Sequence, residues 1–406
     1  MFFYEDLDLR LYSDGDQFVV HARHGSQTAT ERLDLDQAIF GELLHIEGAD
    51  AQMIHDRGGD LFKALIRGSV RDLYQQGRGR AMTNDRTGFR LRLIFDPRDV
   101  RVRRLIAVPW EILRDGSADA SVPAACDARR PVVRTIETVE PPLPVSAGPL
   151  QRVLLALASP SGPGALTLHD ECAFVENALA RTGIRPRILV HATRDTLFDT
   201  IADTNPHVVH YMGHSDIDGE TGDGVLLLED RNGDEDPLPG TLFAGFFTGR
   251  HAPRLVILNS CLSARQGRGQ AFAGLAFSLV AAGLPAVIAM QSKVGDESAV
   301  RFTERLYSRI SDGDPIEAAV ADARRALRSA KKQTTDWAAP VLFVRDSARS
   351  APPLAEQQPQ PDAEAPPAED RTDGFHITVT NGKIGTQIIG HTNYMNHYYD
   401  RQRGDA

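Results

Sequence analysis

The chain has 406 residues, of which 42% are hydrophobic, so it is long enough for one large core or for two ordinary cores and a tail. Its net charge is −10 and the charges are interspersed, which argues against a nucleic-acid-binding protein with a basic face. Three scattered cysteines, at positions 126, 172 and 261, argue against a disulfide framework or a thiolate zinc site and favour a reducing compartment.

The amino terminus, MFFYEDLDLR, has acidic residues directly after its aromatic residues and lacks the basic and apolar regions of a secretory signal. No apolar run approaches the roughly 18 to 20 residues that cross a bilayer. We therefore expect a cytoplasmic chain without a membrane span, and we predict neither a cofactor nor a bound metal.

Residues 1–145 are predicted to form a small α/β domain. Alternating segments at 7–12 and 17–22 predict a hairpin around residues 13–16. A stripe of apolar side chains predicts one helix over 60–76, and the alternation in GFRLRLIFD predicts a half-buried strand. The prolines of PPLPVSAGP, residues 141–149, mark the end of this part because they continue neither a helix nor a central strand.

Residues 146–345 repeat a strand-then-helix rhythm, which predicts a mostly parallel sheet covered by helices on both faces. The predicted strands are 152–158, 187–191, 207–211, 254–258 and 286–289, and the predicted helices are 169–181, 193–203, 270–282, 297–311 and 315–329. In such a sheet the functional side chains are expected at the carboxyl ends of the strands.

Two of the predicted strands end in reactive side chains, His214 after HVVHYMG and Cys261 after RLVILNS. If the strands are parallel neighbours, the thiol and the imidazole meet at one sheet edge and can form a nucleophile and base pair for acyl transfer. The spacing is 261 − 214 = 47 residues, close to the roughly 50 between the histidine and cysteine of caspases. Gly213 is expected to let the chain turn sharply before the histidine, and the backbone N–H groups of Cys261 and of Gly213 or Ser215 are the oxyanion-hole candidates.

Other interpretations of these residues remain open. A cysteine after an apolar strand is commonly a small buried hydrophobe, and His210, inside its strand, is predicted to be a hydrogen-bonded core residue. A histidine metal cluster is not favoured, because His207 and His210 alternate to opposite faces of the strand and no acidic residue lies between them. Cys172, within a predicted helix, and Cys126, in a loop-like stretch, have no evident partner.

These motifs resemble the CHAT family of caspase-like peptidases, which belongs to the same clan as caspases and separases. The similar segments are HVVHYMGHSD and VILNSCLSA around the two reactive residues, then residues 274–291, 296–327 and 336–344, and the proline-tryptophan-glutamate element VPWEIL at 108–113. The resemblance covers roughly residues 60–345. It implies a caspase-like, mostly parallel sheet flanked by helices, with His214 as general base and acid and Cys261 as nucleophile.

The chain departs from the family pattern at two positions near the predicted site. Many members have glycine after the histidine, where this chain has Ser215, whose side chain narrows the cleft. Relatives that cleave after basic residues often have an acid two positions before the cysteine, where this chain has Asn259, so the cleavage preference does not carry over. Asn259, Asp216 and Asp296 are the substrate-pocket candidates, although a solvated loop face also explains acidic residues such as Asp218 and Glu220.

Beyond residue 345 the composition changes. Residues 346–373, rich in proline, alanine and acidic residues, are predicted to be a disordered linker, and residues 374–406 to be a β-prone tail of the kind that stacks as cross-β. The tail resembles the RIP homotypic interaction motif and bacterial amyloid-signalling motifs, with one extra apolar residue before the glycine. The matching positions are Gln387, Ile388, Ile389, Gly390, Asn393 and Tyr394. A terminal hairpin docked on the body is the alternative.

The resemblances imply a cysteine endopeptidase that is clustered through its tail in bacterial immune or cell-death signalling. The implied partners are an upstream sensor with a like amyloid motif and a protein substrate such as a gasdermin-like effector. Two alternatives remain open: a catalytically silent adaptor with a caspase fold, and a Cys-His hydrolase acting on a small thioester or amide.

Overall fold

A computed structural model describes residues 3–35, 50–116, 122–138, 143–145, 150–161, 165–218, 224–248, 252–260, 269–292, 294–330 and 335–346. Within these ranges the side chains of residues 165–171, 260, 269–273 and 296 are not described. The predicted linker beyond residue 346 and the predicted tail lie outside the described residues, as do Glu220 and Cys261.

The described elements alternate strands and helices through most of the chain. The strands are β1 (Phe3–Asp14), β2 (Gln17–His24), β3 (Gln27–Arg32), β4 (Thr87–Phe95), β5 (Val132–Ile136), β6 (Val153–Leu157), β7 (Arg187–Leu189), β8 (Val208–Ile217), β9 (Gly224–Glu229), β10 (Glu235–Pro239), β11 (Leu255–Ser260), β12 (Ala286–Met290) and β13 (Pro340–Arg345). The helices are α1 (Ala51–Leu65), α2 (Gly68–Ala81), α3 (Arg103–Ile106), α4 (Ala165–Arg181), α5 (Arg194–Thr204), α6 (Gly240–Gly245), α7 (Gly269–Ala281), α8 (Asp296–Ser311) and α9 (Ile316–Ala330).

The strands form one sheet in the order β10-β9-β8-β11-β12-β13-β5-β4-β1-β2-β3, and β6 pairs with both β8 and β7. Among the described strands seven pairs are parallel and five are antiparallel, so the sheet is mostly parallel. With helices packed against it, this arrangement confirms the predicted α/β fold class. Among the described helices, none is both long and apolar enough to cross a bilayer.

The strands of residues 1–145 and those of residues 146–345 belong to this same sheet. The connection is the parallel pairing of β5 with β13, in which Arg134 lies opposite Phe343 and Ile136 opposite Arg345. The described residues from 3 to 346 accordingly lie in one compact unit. The composition boundary near residue 145 therefore does not interrupt the sheet, which contains strands from both sides of it.

The predicted hairpin is present, and the predicted single helix is not. Strands β1 and β2 pair with Asp14 opposite Gln17, and Gly15 in the turn has a φ of 54°. The helix predicted over 60–76 is instead two helices, because Gly68 has a left-handed φ of 47° and a Cβ there would lie 2.2 Å from the Glu31 carboxylate. That carboxylate accepts hydrogen bonds from the backbone N–H and the hydroxyl of Ser69, each at 2.8 Å, and so caps α2.

Strand β4 was predicted to be half-buried, and this is wrong, because its basic side chains are buried as well. Arg90 is 5% exposed and pairs with Asp6 at 2.7 Å and with Glu317 of α9. Arg92 is 7% exposed and pairs with Asp8 at 2.9 Å. Ion pairs compensate the charges, so an alternating apolar and basic pattern here produces a strand buried on both faces.

Candidate active site

The parallel strands β8 and β11 lie side by side with a continuous register. Leu255 is opposite Val208, Asn259 is opposite Met212, and Ser260 is opposite Gly213. The residue after Gly213 is His214, and the residue after Ser260 in the sequence is Cys261. The condition stated from the sequence, that the two strands are parallel neighbours, is therefore met, while Cys261 itself lies outside the described residues.

Strand β8 does not end at His214 as predicted, because it changes partner there and continues. Its first half lies between β6 and β11, and β6 ends at Leu157 opposite Met212. From His214 to Ile217 it pairs antiparallel with β9, with His214 opposite Leu227. The candidate base thus lies at the point where a parallel ladder gives way to an antiparallel one.

Gly213 is required by close packing and not by a turn, which corrects the sequence expectation. It is not among the glycines with a positive φ. A Cβ on Gly213 would lie 2.5 Å from the Tyr211 hydroxyl oxygen and 2.6 Å from the Ala158 carbonyl oxygen, distances that real Cβ atoms do not show. Glycine therefore allows two neighbouring groups to approach the backbone directly before His214.

Alternation along β8 assigns the side chains after Gly213 to two faces. His214 and Asp216 are partly exposed on one face, whereas Ser215, on the other, is 1% exposed. Asp216 accepts a hydrogen bond from the backbone N–H of Ile217 at 2.9 Å. Asp216 is therefore the pocket candidate on the same face as His214, while the Ser215 side chain is buried away from that face.

Of the two remaining pocket candidates, the structure describes the side chain of Asn259 and not that of Asp296. Asn259 is 1% exposed, so its amide is buried in the sheet opposite Met212. Asp296 is the first residue of α8, after the N-cap residue Gly295, and its side chain is outside the described set. The roles of Asn259, Asp216 and Asp296 in a substrate pocket stay predictions.

The two other histidines of the motif are buried, as predicted for His210. The His210 Nδ1 atom lies 3.3 Å from the hydroxyl of Tyr307, and burial lowers the pKa of the ring to about 3. His207 precedes β8 and accepts a hydrogen bond from the backbone N–H of Gln151 at 3.1 Å. Burial, together with the guanidinium groups of Arg152 and Arg254, lowers the His207 pKa to about 4. Both rings are neutral at neutral pH.

Sequence analysis missed a carboxylate that holds the loops beside His214. Glu229, at the end of β9, is 5% exposed and accepts a hydrogen bond from the Ser159 backbone N–H at 2.8 Å. Its other oxygen lies 2.9 Å from Nδ1 of His191, a residue with a left-handed φ of 53°. The only sequence signal was a glutamate at the end of the apolar run GVLLLE, which carries no indication of its partners.

Side-chain hydrogen bonds and an ion pair fix the proline-tryptophan-glutamate element at residues 108–113 to the sheet. The Trp110 indole donates a hydrogen bond to the Leu105 carbonyl at 2.8 Å, and Glu111 pairs with Arg134 of β5 at 2.5 Å. The Gln291 amide, directly after β12, donates to Glu111 at 2.8 Å and accepts from Arg134 at 2.9 Å. This buried cluster, Glu111–Arg134–Gln291, joins the element to the strand beside β11.

No group of three or more histidine, cysteine, aspartate or glutamate side chains in the described part of the chain is arranged to hold a metal ion. The described cysteines are both buried, Cys126 completely and Cys172 with 6% exposure in α4. Burial raises the pKa of the Cys126 thiol to about 12. Neither thiol is suited to act as a nucleophile at neutral pH.

Comparisons with known proteins identify a family and distant structural likenesses. The family model described as the CHAT domain matches residues 55–345, more than half of the chain. No curated protein matches the chain.

Three solved structures are similar to parts of the chain. The Arg-specific cysteine proteinase gingipain R is 12% identical with a TM-score of 0.41, covering 71% of this chain and 69% of that one. The complex of gingipain pro- and mature domains from Porphyromonas gingivalis is 11% identical with a TM-score of 0.43, covering 73% of each chain. The Saccharomyces cerevisiae separase–securin complex is 14% identical with a TM-score of 0.37, covering 78% of this chain and 21% of that one.

Proposed function

Because the chain belongs to the CHAT domain family, we propose that it is a cysteine endopeptidase with Cys261 as nucleophile and His214 as general base and acid. The observation that supports the proposal is the register of β8 and β11, in which Gly213 lies opposite Ser260. The next residues in the sequence are His214 and Cys261, and we propose that their side chains meet at this edge of the sheet.

The proposed reaction needs only these two side chains and backbone donors. The Cys261 thiolate attacks the carbonyl carbon of the peptide bond, and the developing oxyanion accepts hydrogen bonds from the N–H of Cys261 and of Gly213 or Ser215. The C–N bond then breaks as the His214 imidazolium gives its proton to the leaving amine. Water, deprotonated by His214, hydrolyses the thioester and restores the free thiol.

Substrate recognition is proposed to involve the acidic side chains around this dyad. Asp216 is partly exposed and shares the face of His214, which suits a cationic group on the substrate. Asp296, at the beginning of α8, is a second pocket candidate. Asn259 is buried and uncharged, so we propose that it shapes the pocket floor without selecting a charge.

The proposal predicts selective alkylation of Cys261. A thiolate paired with an imidazolium has a pKa between about 3.5 and 7.5, whereas a free thiol is only roughly 0.3% ionised at pH 6. At pH 6 iodoacetamide should modify Cys261 at least about tenfold faster than an unactivated thiol, with Cys126 and Cys172 unmodified in the folded protein. Peptide mass spectrometry measures the rate at each cysteine.

Two histidine variants, one at the proposed base and one at a control position, show whether the activation of Cys261 depends on His214. His214→Ala should reduce the pH 6 rate at Cys261 to that of an unactivated thiol, whereas His21→Ala, at a partly exposed position of β2 where the ring lies 2.9 Å from the Thr30 hydroxyl, should leave it unchanged. Equal rates at Cys261 in the wild type and in His214→Ala would contradict the dyad and favour the silent adaptor.

We propose that the tail brings peptidase domains together on an upstream sensor that carries a like motif. The support is the resemblance of residues 387–394 to homotypic interaction motifs, and tethering of this kind raises effective concentrations to about the millimolar range. A bacterial immune or cell-death pathway with a gasdermin-like effector as the cleaved protein fits such an arrangement.

The tail proposal predicts that a peptide of residues 374–400 forms thioflavin-binding fibres. Gly390→Asp or Asn393→Asp should prevent fibre formation, because in-register stacking brings each added charge about 4.8 Å from its copy. A fluorescence time course and electron microscopy measure this. If the unaltered peptide stays monomeric at high concentration, the clustering proposal is wrong.

A further inference from the structure

Tyr211 contacts the backbone of the candidate base directly, although it lies three residues earlier on the same strand. Its hydroxyl lies 2.7 Å from the Leu227 carbonyl oxygen, on the paired strand β9, and 3.0 Å from the His214 carbonyl oxygen, and its single proton forms a bifurcated hydrogen bond to the two acceptors. The hydroxyl reaches both acceptors across the bare Cα of Gly213, where a Cβ would lie 2.5 Å from it. Tyr211, Gly213 and His214 thus pack as one unit.

The Tyr211 hydroxyl is a constant donor because it is buried. The side chain is 1% exposed, and burial raises the pKa of the phenol far above its usual range. The hydroxyl therefore stays protonated at every pH at which a peptidase works. Its two acceptors lie at the point where β8 changes partner, so it fixes the antiparallel pair His214–Leu227 against the parallel part of the strand.

A second contact crowds the same side of Gly213. The Ala158 carbonyl would lie 2.6 Å from a Cβ on Gly213, and the next residue, Ser159, donates its backbone N–H to the buried Glu229 carboxylate at 2.8 Å. The Ala158 N–H in turn donates to the Met212 carbonyl at 3.1 Å. The backbone before His214 is therefore crowded at Gly213 both by Tyr211 and by a segment that Glu229 anchors.

We propose that Tyr211 is a positioning residue for His214, and that its hydroxyl sets the position from which the imidazole pairs with the Cys261 thiol. This inference rests on the proposed function. Proton transfer requires heavy atoms about 2.6 to 3.2 Å apart, and a displacement of about 1 Å costs up to 10²-fold in rate. The Tyr211 hydroxyl restrains the backbone carbonyl of His214 and touches no part of the substrate, so its loss should change catalysis and leave substrate binding unchanged.

The test compares two variants that each remove one buried hydroxyl. Tyr211→Phe removes the donor to His214, whereas Tyr307→Phe removes a buried hydroxyl whose contact is the core residue His210, at 3.3 Å. Two readouts are measured on the full chain: the pH profile of iodoacetamide alkylation at Cys261, and kcat and KM for a peptide cleaved by the wild type. Tyr211→Phe should move the alkylation profile to higher pH and lower kcat about tenfold with KM unchanged. Tyr307→Phe should change neither.

The outcomes separate this inference from the proposed function. If the wild-type profile shows an activated thiol and Tyr211→Phe has the same profile and kcat, Tyr211 does not position His214. Equal changes in both tyrosine variants would assign the effect to general loss of core packing and would also overturn the inference. A wild type with no activated thiol at Cys261 would overturn the proposed function itself, whatever the variants do.

Discussion

Replacing Glu111 by Gln is expected to destabilise the folded chain by about 3 to 5 kcal/mol, since it removes one partner of a completely buried ion pair. The Glu111 and Arg134 side chains are 1% and 0% exposed, and they are 2.5 Å apart. Without the carboxylate charge, the Arg134 guanidinium would stay buried with only neutral partners: Gln291 and the backbone carbonyls of Ile106 and Val108.

Urea unfolding curves measure this loss, and two further variants define its cause. Adding Arg134→Met to Glu111→Gln should recover part of the stability, because it removes one of the two guanidinium charges that Glu111 compensates; the other, on Arg324, lies 3.9 Å from Glu111 and is also buried. Asp60→Asn breaks the exposed Lys63–Asp60 pair, whose side chains are 77% and 42% exposed, and should cost at most about 1 kcal/mol. If Glu111→Gln costs no more than Asp60→Asn, the buried cluster does not hold the proline-tryptophan-glutamate element to the sheet.

The elements that sequence analysis predicted well are those whose signals are local. The β1–β2 hairpin follows from a Gly-containing turn between alternating segments, and α5, with Thr193 as its N-cap, begins one residue after the start of the helix predicted over 193–203. The positions of β8 and β11 follow from two short apolar runs, at 207–211 and 254–258. These patterns depend on residues a few positions apart, so no tertiary information is needed.

The features that sequence analysis missed depend on contacts between distant residues. The break before Gly68 depends on Glu31, which is close in space and far in sequence. The burial of Arg90 depends on Asp6 and on Glu317, which is 227 residues away. Strands β9 and β10 follow β8 in a stretch rich in glycine and aspartate, where turn residues obscure the short apolar run.

In the candidate site too, features with a local sequence signal were predicted and features that depend on distant contacts were missed. The residue types at positions 214 and 261 and their spacing indicate the chemistry, whereas the register that places Gly213 opposite Ser260 is given by the structure alone. The reason for Gly213 was wrong, because no local pattern shows that Tyr211 and Ala158 crowd its Cα. Glu229 has no local signal either, since its partner Ser159 is 70 residues earlier in the chain.

Cys261→Ala and His214→Ala are each expected to reduce protein cleavage by about 10⁴-fold or more. Removal of either member of a nucleophile and base pair abolishes the covalent route, so each single loss should cost nearly as much as the double variant. This non-additivity is itself a prediction. Two independent residues would lose activity multiplicatively, whereas a pair that acts as one unit would not.

Cleavage is measured most directly as new protein N-termini, identified by mass spectrometry after the purified full chain is incubated with a cell lysate. The account predicts a defined set of new N-termini with the wild-type protein and with His21→Ala, and none of that set with Cys261→Ala or His214→Ala. The same N-termini appearing with the Cys261→Ala protein would contradict it.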